Sequence, residues 1–123
     1  MDAAGFRRMI LGLTGAAEGA HMGHPDFRVG GRIFATLNAD ETTAMVKLPV
    51  DQQPRFIQTH AAFRPASGAW GLQGATLIDL ASADEEVVGE AATIAWQHVA
   101  AGVRAGARTT TRKKRNPTRA RRN

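Results

Sequence analysis

The sequence predicts an α+β fold of two layers, a mainly antiparallel five-stranded sheet with helices laid on one face, in the order α-β-β-β-α-β-β-α. Three observations predict it. Two β-patterned runs meet across Gly30-Gly31, a pair that can take up positive φ and so form a tight hairpin turn. Apolar residues recur at helical spacing near both ends of the body, at Phe6, Met9, Ile10 and Leu13 and again at Val88, Ala91, Ile94, Ala95 and Val99. Between them lie short β-patterned runs separated by turn-forming residues, without any repeat of solenoid period.

Each element has its own local reason. Residues 3 to about 13 form the first helix, with Arg7 and Arg8 turned outward and Gly15 available to stop it. Glu18 to Val29 reads as an approach and a first strand, and His24-Pro25 lies near an edge because proline cannot donate to a central ladder. Arg32 to Asn38 is the second strand, residues 38–42 are a polar turn, and Thr43 to Leu48 is the third strand, ending at Pro49. Asp51 is placed to cap a short helix through His60, with Pro54 in its first turn and Phe56 and Ile57 on its buried side. Phe63 to Ser67 and Gly74 to Leu80 complete the strands, separated by a loop over residues 68–73. Ser82 and Glu85 stand at capping-box spacing before the final helix, which is expected to reach about Val103, with Asp84, Glu85, Glu86 and Glu90 in its first turns.

Composition limits the function classes. The chain of 123 residues suits one domain, residues 1–103, followed by a tail, residues 104–123. The absence of cysteine excludes disulfides, thiolate metal sites and cysteine nucleophiles. No stretch approaches the roughly 20 apolar residues of a membrane span, so a soluble, cytoplasmic protein is expected. The formal charge of +5 hides an asymmetry. Residues 1–103 hold seven basic against eleven acidic residues, a balance of −4, whereas the tail carries +9. Attraction to DNA or another polyanion is therefore expected mainly in the tail, at Arg112-Lys113-Lys114-Arg115 and then Arg119, Arg121 and Arg122, a segment read as largely disordered alone. Asn116-Pro117 prevents one continuous helix through it.

The hairpin offers a second candidate. With Gly30 and Gly31 as the central turn residues, Val29 opposes Arg32 and Phe27 opposes Phe34, and opposed residues share a face. Phe27, Val29, Arg32, Phe34 and Thr36 would then lie together, with Met45 and Lys47 beside them, and Arg28 and Ile33 on the other side. An open face of this kind stacks bases; one covered by the Trp70 loop or by a dimer partner is core.

Chemistry is not indicated. His21-Met22-Gly23-His24 lacks carboxylates at metal-ligand spacing, and His24 is read as steadying the strand entrance. Neither Ser67 nor Ser82 stands in a nucleophile elbow, and Gly30-Gly31 leads into a strand rather than a helix N-terminus. A non-enzymatic protein without metal or cofactor is expected.

The stretch from His21 to Leu37, with Phe6-Arg7-Arg8, Gly68-Ala69-Trp70-Gly71 and Gly74 to Leu80, resembles the MmcQ/YjbR family of small α/β proteins over roughly residues 3–101. The resemblance implies DNA binding through paired β-hairpin wings, and it supplies no catalytic residues. Family members do not share so long and basic a tail. On this basis Arg28, Arg32 and Lys47 would position a phosphate backbone, while Phe27, Phe34 and Trp70 offer apolar contact. The alternative is a protein- or small-ligand-binding module, similar to secretion chaperones in fold, with the aromatic face as a dimer or partner interface.

Overall fold

The computed structural model describes residues 1–115, with side chains as far as Gly106. The elements are α1 (Ala3–Leu11), β1 (Ala17–His21), β2 (His24–Val29), β3 (Arg32–Leu37), β4 (Thr43–Lys47), α2 (Gln53–Thr59), β5 (Phe63–Pro65), α3 (Gly68–Leu72), β6 (Ala75–Asp79) and α4 (Glu85–Arg115). One antiparallel sheet runs β1-β2-β3-β4-β6-β5. It has six strands rather than the expected five, because the first expected strand is a hairpin. His21 pairs with His24 across Met22-Gly23, whose φ values are 52° and 81°. These are the left-handed angles of a two-residue hairpin turn, and Gly30-Gly31 repeats them at 59° and 82°. A methionine in that conformation is sterically unfavourable, so the sequence carries no ordinary signal for the turn.

The core lies between the sheet and α1, α2 and α4. Phe6 and Ile10 of α1, Phe56 of α2, and Val88, Ala91, Ala92, Ala95 and Val99 of α4 are buried with Leu37, Val46 and Ile78 of the sheet. Phe6 meets Phe27 edge-on at 6.0 Å, and Phe56 stacks on Phe63 at 5.5 Å. The short side chains of α4 let it lie close across β3 and β4, its helical stripe facing the expected way.

Helix ends differ from expectation in ways the hydrogen bonds explain. Asp51 does not cap α2; Gln52 occupies the cap position without a side-chain capping bond, its Oε1 accepting from Arg55 Nε at 3.2 Å, and Gln53 turns inward, donating through Nε2 to Ala75 O and Thr76 Oγ1, each at 3.1 Å. Ser82 does not form the capping box. Its hydroxyl donates to Asp79 Oδ2 at 2.9 Å, and Asp84 caps α4 by accepting from Glu86 N–H at 2.9 Å. The last helix does not end near Val103 but continues to Arg115, so residues 104–115, expected to be disordered, are helical. The alanines at 100, 101 and 105 favour the continuation, alanine being the strongest helix former.

Candidate functional site

The sheet has one face under the helices and one open. Strand pairing carries a row across the open face from Asp26 through Thr36, Met45 and Leu77 to Arg64. A groove of about 660 Å³ lies on this face, lined by Arg28, Gly31, Arg32, Ile33, Thr36, Met45, Lys47, Trp70 and His21. A hollow of about 410 Å³ adjoins it through the shared residues His21, Ile33 and Thr36 and reaches His24 and Asn38. The floor is apolar and hydroxylic, while cations stand at the sides.

A β-bulge decides which predicted residues reach this groove. Val29 pairs with Arg32 and Arg28 with Ile33, as a two-residue turn requires, but Phe27 pairs with Ala35 rather than Phe34. The extra residue, Phe34, lies on β3, and the slip of one position exchanges the faces beyond it. Phe27 and Phe34 are both 0% exposed in the core, so neither belongs to an open aromatic face. Arg28 and Ile33, expected on the covered side, line the groove instead, together with Thr36, Met45 and Lys47. Of the three predicted aromatics, Trp70 alone is presented to solvent, at 67% exposure.

Close backbone packing holds Trp70 outward. The segment expected to be a loop contains the short helix α3, entered at Gly68 with φ 68° and left at Gly74 with φ 105°. A Cβ on Gly71 would collide with the carbonyl oxygen of Ala66, and one on Gly74 with that of Leu48. Leu48 N–H donates to Gly74 O at 3.0 Å across the same approach. Glycine at these two positions lets α3 lie against the ends of β4 and β5, which brings Trp70 to the rim beside Lys47.

The cations differ in availability. Arg28 donates from Nε to Asp26 Oδ1 at 2.9 Å and from Nη2 to Asp26 Oδ2 at 3.1 Å, while the Asp26 side chain is only 1% exposed. The hydrogen bond, and then the charge, of Asp26 raises the Arg28 pKa above its ordinary value. Gly19 makes room for this fork: opposite Asp26, a Cβ there would stand 3.0 Å from Asp26 Oδ1 and 3.7 Å from Arg28 Nε. Arg28 therefore orders the groove wall with its charge already matched. Arg32, Lys47 and Arg64 have no ion-pair partner among the described residues. No group of three or more metal-ligating side chains occurs among the described residues.

The predicted basic segment begins at the same end of the sheet. Val103 packs on the Gly30-Gly31 tip, so that a Cβ on Gly30 would lie 2.7 Å from Val103 Cγ1. One turn later, a Cβ on Gly106 would lie 4.0 Å from Arg32 Nη2. From there α4 extends past the hairpin for about 14 Å at about 1.5 Å per residue, carrying the chain through Arg112, Lys113, Lys114 and Arg115. Arg119, Arg121 and Arg122 lie outside the described residues.

The family model of YjbR matches residues 11–98, which include both hairpins, Lys47, α3 and most of the buried part of α4. The chain belongs to the YjbR family. No curated protein and no solved structure matches it. The YjbR match thus contains the groove and Trp70 but ends before the basic extension of α4. The bulge, the Asp26–Arg28 fork and the role of Gly19 in this YjbR sheet escaped sequence reasoning, because each depends on what stands across a strand pair. No helix among the described residues is long and apolar enough to cross a membrane.

Proposed function

We propose that this YjbR-family protein binds nucleic acid without acting on it chemically, through the open face of its β-hairpins and the basic extension of α4. The observation that carries this reading is the meeting, at the Gly30-Gly31 tip, of Arg32, which has no ion-pair partner among the described residues, a groove bearing Lys47 and Trp70, and a helix continuing into a dense basic run. The acidic balance of the body does not oppose it. Asp84, Glu85, Glu86 and Glu90 belong to the opposite end of α4, and Glu18 and Glu41 face Arg7. The carboxylates that strand pairing puts on the open face are Asp26, which Arg28 holds, and Asp79, which accepts from Ser82. In the reading that follows, Arg32, Lys47 and the α4 cations neutralise phosphates, and the two tight hairpins act as wings.

The test is fluorescence anisotropy of labelled duplex and single-stranded DNA at several salt concentrations. It compares the full chain with a variant in which Arg112, Lys113, Lys114 and Arg115 are all glutamine. Binding should weaken steeply with salt, and the duplex slope should fall by about 0.9 for each phosphate contact the variant loses. Absence of binding to either form at low salt would refute the proposal. The 81% exposure of Leu72 next to Trp70 supports a second reading, an apolar face for a protein partner, to which that result would point.

A further inference from the structure

We infer that the groove takes the unstacked bases of single-stranded nucleic acid, with one base lying on the indole of Trp70, an inference that rests on the nucleic-acid reading above. Trp70 is large, apolar, 67% exposed and held there by two backbone approaches that only glycine permits, at Gly71 and Gly74. Leaving an indole in water is unfavourable, and its presentation on a braced helix rather than a free loop gives a ligand a preformed surface. Behind it the floor offers Ile33, Met45 and Thr36, side chains that supply contact area and a hydroxyl but no charge.

The charge pattern chooses between duplex and single strand. A duplex presents phosphates outward and keeps the faces of its bases stacked inside, so it would bring anions over Ile33 and Met45 and leave Trp70 without a partner. A single strand can turn its bases into the apolar floor and keep its phosphates at the rim, where Lys47 and Arg32 stand without ion-pair partners among the described residues. The neighbouring hollow, lined by His24, Asn38 and the Asp26 that Arg28 holds, continues the path along the open face. Stacking on an indole is tolerant of base identity, so the strand is bound with little sequence preference.

The experiment measures Kd by anisotropy for a labelled oligothymidylate of about 12 nucleotides and for a mixed-sequence duplex, using the full chain and its Trp70→Ala and Trp70→Phe variants. The expected result is a preference for the single strand that Trp70→Ala lowers by about 5- to 150-fold. Duplex binding and the salt slope stay unchanged, and Trp70→Phe keeps most of the affinity. Equal effects of Trp70→Ala on both forms, or no effect on either, with binding itself intact, would overturn the inference while leaving the nucleic-acid reading standing. Displacement of the oligomer by AMP at equal concentration would likewise overturn it, in favour of a free nucleotide. Failure of the unaltered chain to bind either form would instead remove the reading on which it rests.

Discussion

Replacing Phe34 by alanine measures directly where the β3 bulge sends its side chain. The ring is 0% exposed and belongs to the cluster that includes Phe27, Val46 and Ala95. Truncation removes its contacts and leaves a cavity that a sheet braced by α4 can fill only in part, at a cost of about 3–5 kcal/mol. Domains of this size have roughly 5–15 kcal/mol in total, so the variant would be marginal but measurable. With a urea m-value of about 2 kcal/mol per molar, the midpoint should fall by about 1.5–2.5 M with m unchanged. Trp70→Ala is the matched control, since its side chain is mostly solvated, and should change stability by less than about 0.5 kcal/mol. Equilibrium urea unfolding followed by circular dichroism reads both. A cost below about 1 kcal/mol for Phe34→Ala would refute the bulge and return its ring to the open face.

Three further outcomes are expected. Gly74→Ala should be among the most damaging single changes, because the added Cβ meets the backbone of Leu48 at a φ of 105°; a loss of more than about 3 kcal/mol by urea unfolding is expected, and a neutral result would exclude the close approach. Gln53→Ala removes the donor to Ala75 O and Thr76 Oγ1 in a buried setting and should cost about 1–3 kcal/mol, with Gln53→Glu no better; thermal unfolding separates this from a surface change. Asp40 is held below the ordinary carboxylate range by hydrogen bonds from the Thr42 backbone N–H and then its hydroxyl. A depressed folded-state pKa means that its stabilisation of the β3–β4 turn is full above the unfolded value and is lost as pH falls through the folded one. Carbon-13 titration should show that low midpoint in the intact chain and a rise towards the ordinary value in Thr42→Val, which lacks the hydroxyl.

Much of the architecture was legible because local chemistry and tertiary packing agree. The helical spacing of Phe6 and Ile10, and of Val88, Ala91, Ala95 and Val99, meets the core as expected, and Gly30-Gly31 turns the chain with the two positive φ values its composition allows. Where local chemistry was misleading, competition explains it. Ser82 suits a cap, but Asp79 takes its hydroxyl and Asp84 stands closer to the first free N–H groups. Met22 gives no turn signal, because the left-handed conformation that it adopts favours glycine or asparagine, and β1 was therefore joined to β2. In the candidate site, Lys47, Arg32 and Trp70 were legible as residues that line the groove, and Arg28 as a residue but not in its pairing with Asp26.

By itself the sequence determined the α+β class, the helical core stripe, the Gly30-Gly31 hairpin, the YjbR resemblance and the concentration of positive charge after Val103, for each depends on residue type and spacing along the chain. Tertiary structure alone decided that Phe27 and Phe34 are core while Trp70 is surface, that Asp26 holds Arg28, and that the basic helix leaves beside the groove. The physical reason is the two-residue period of a strand: one bulge exchanges every face beyond it, and its position is set by what packs across the sheet.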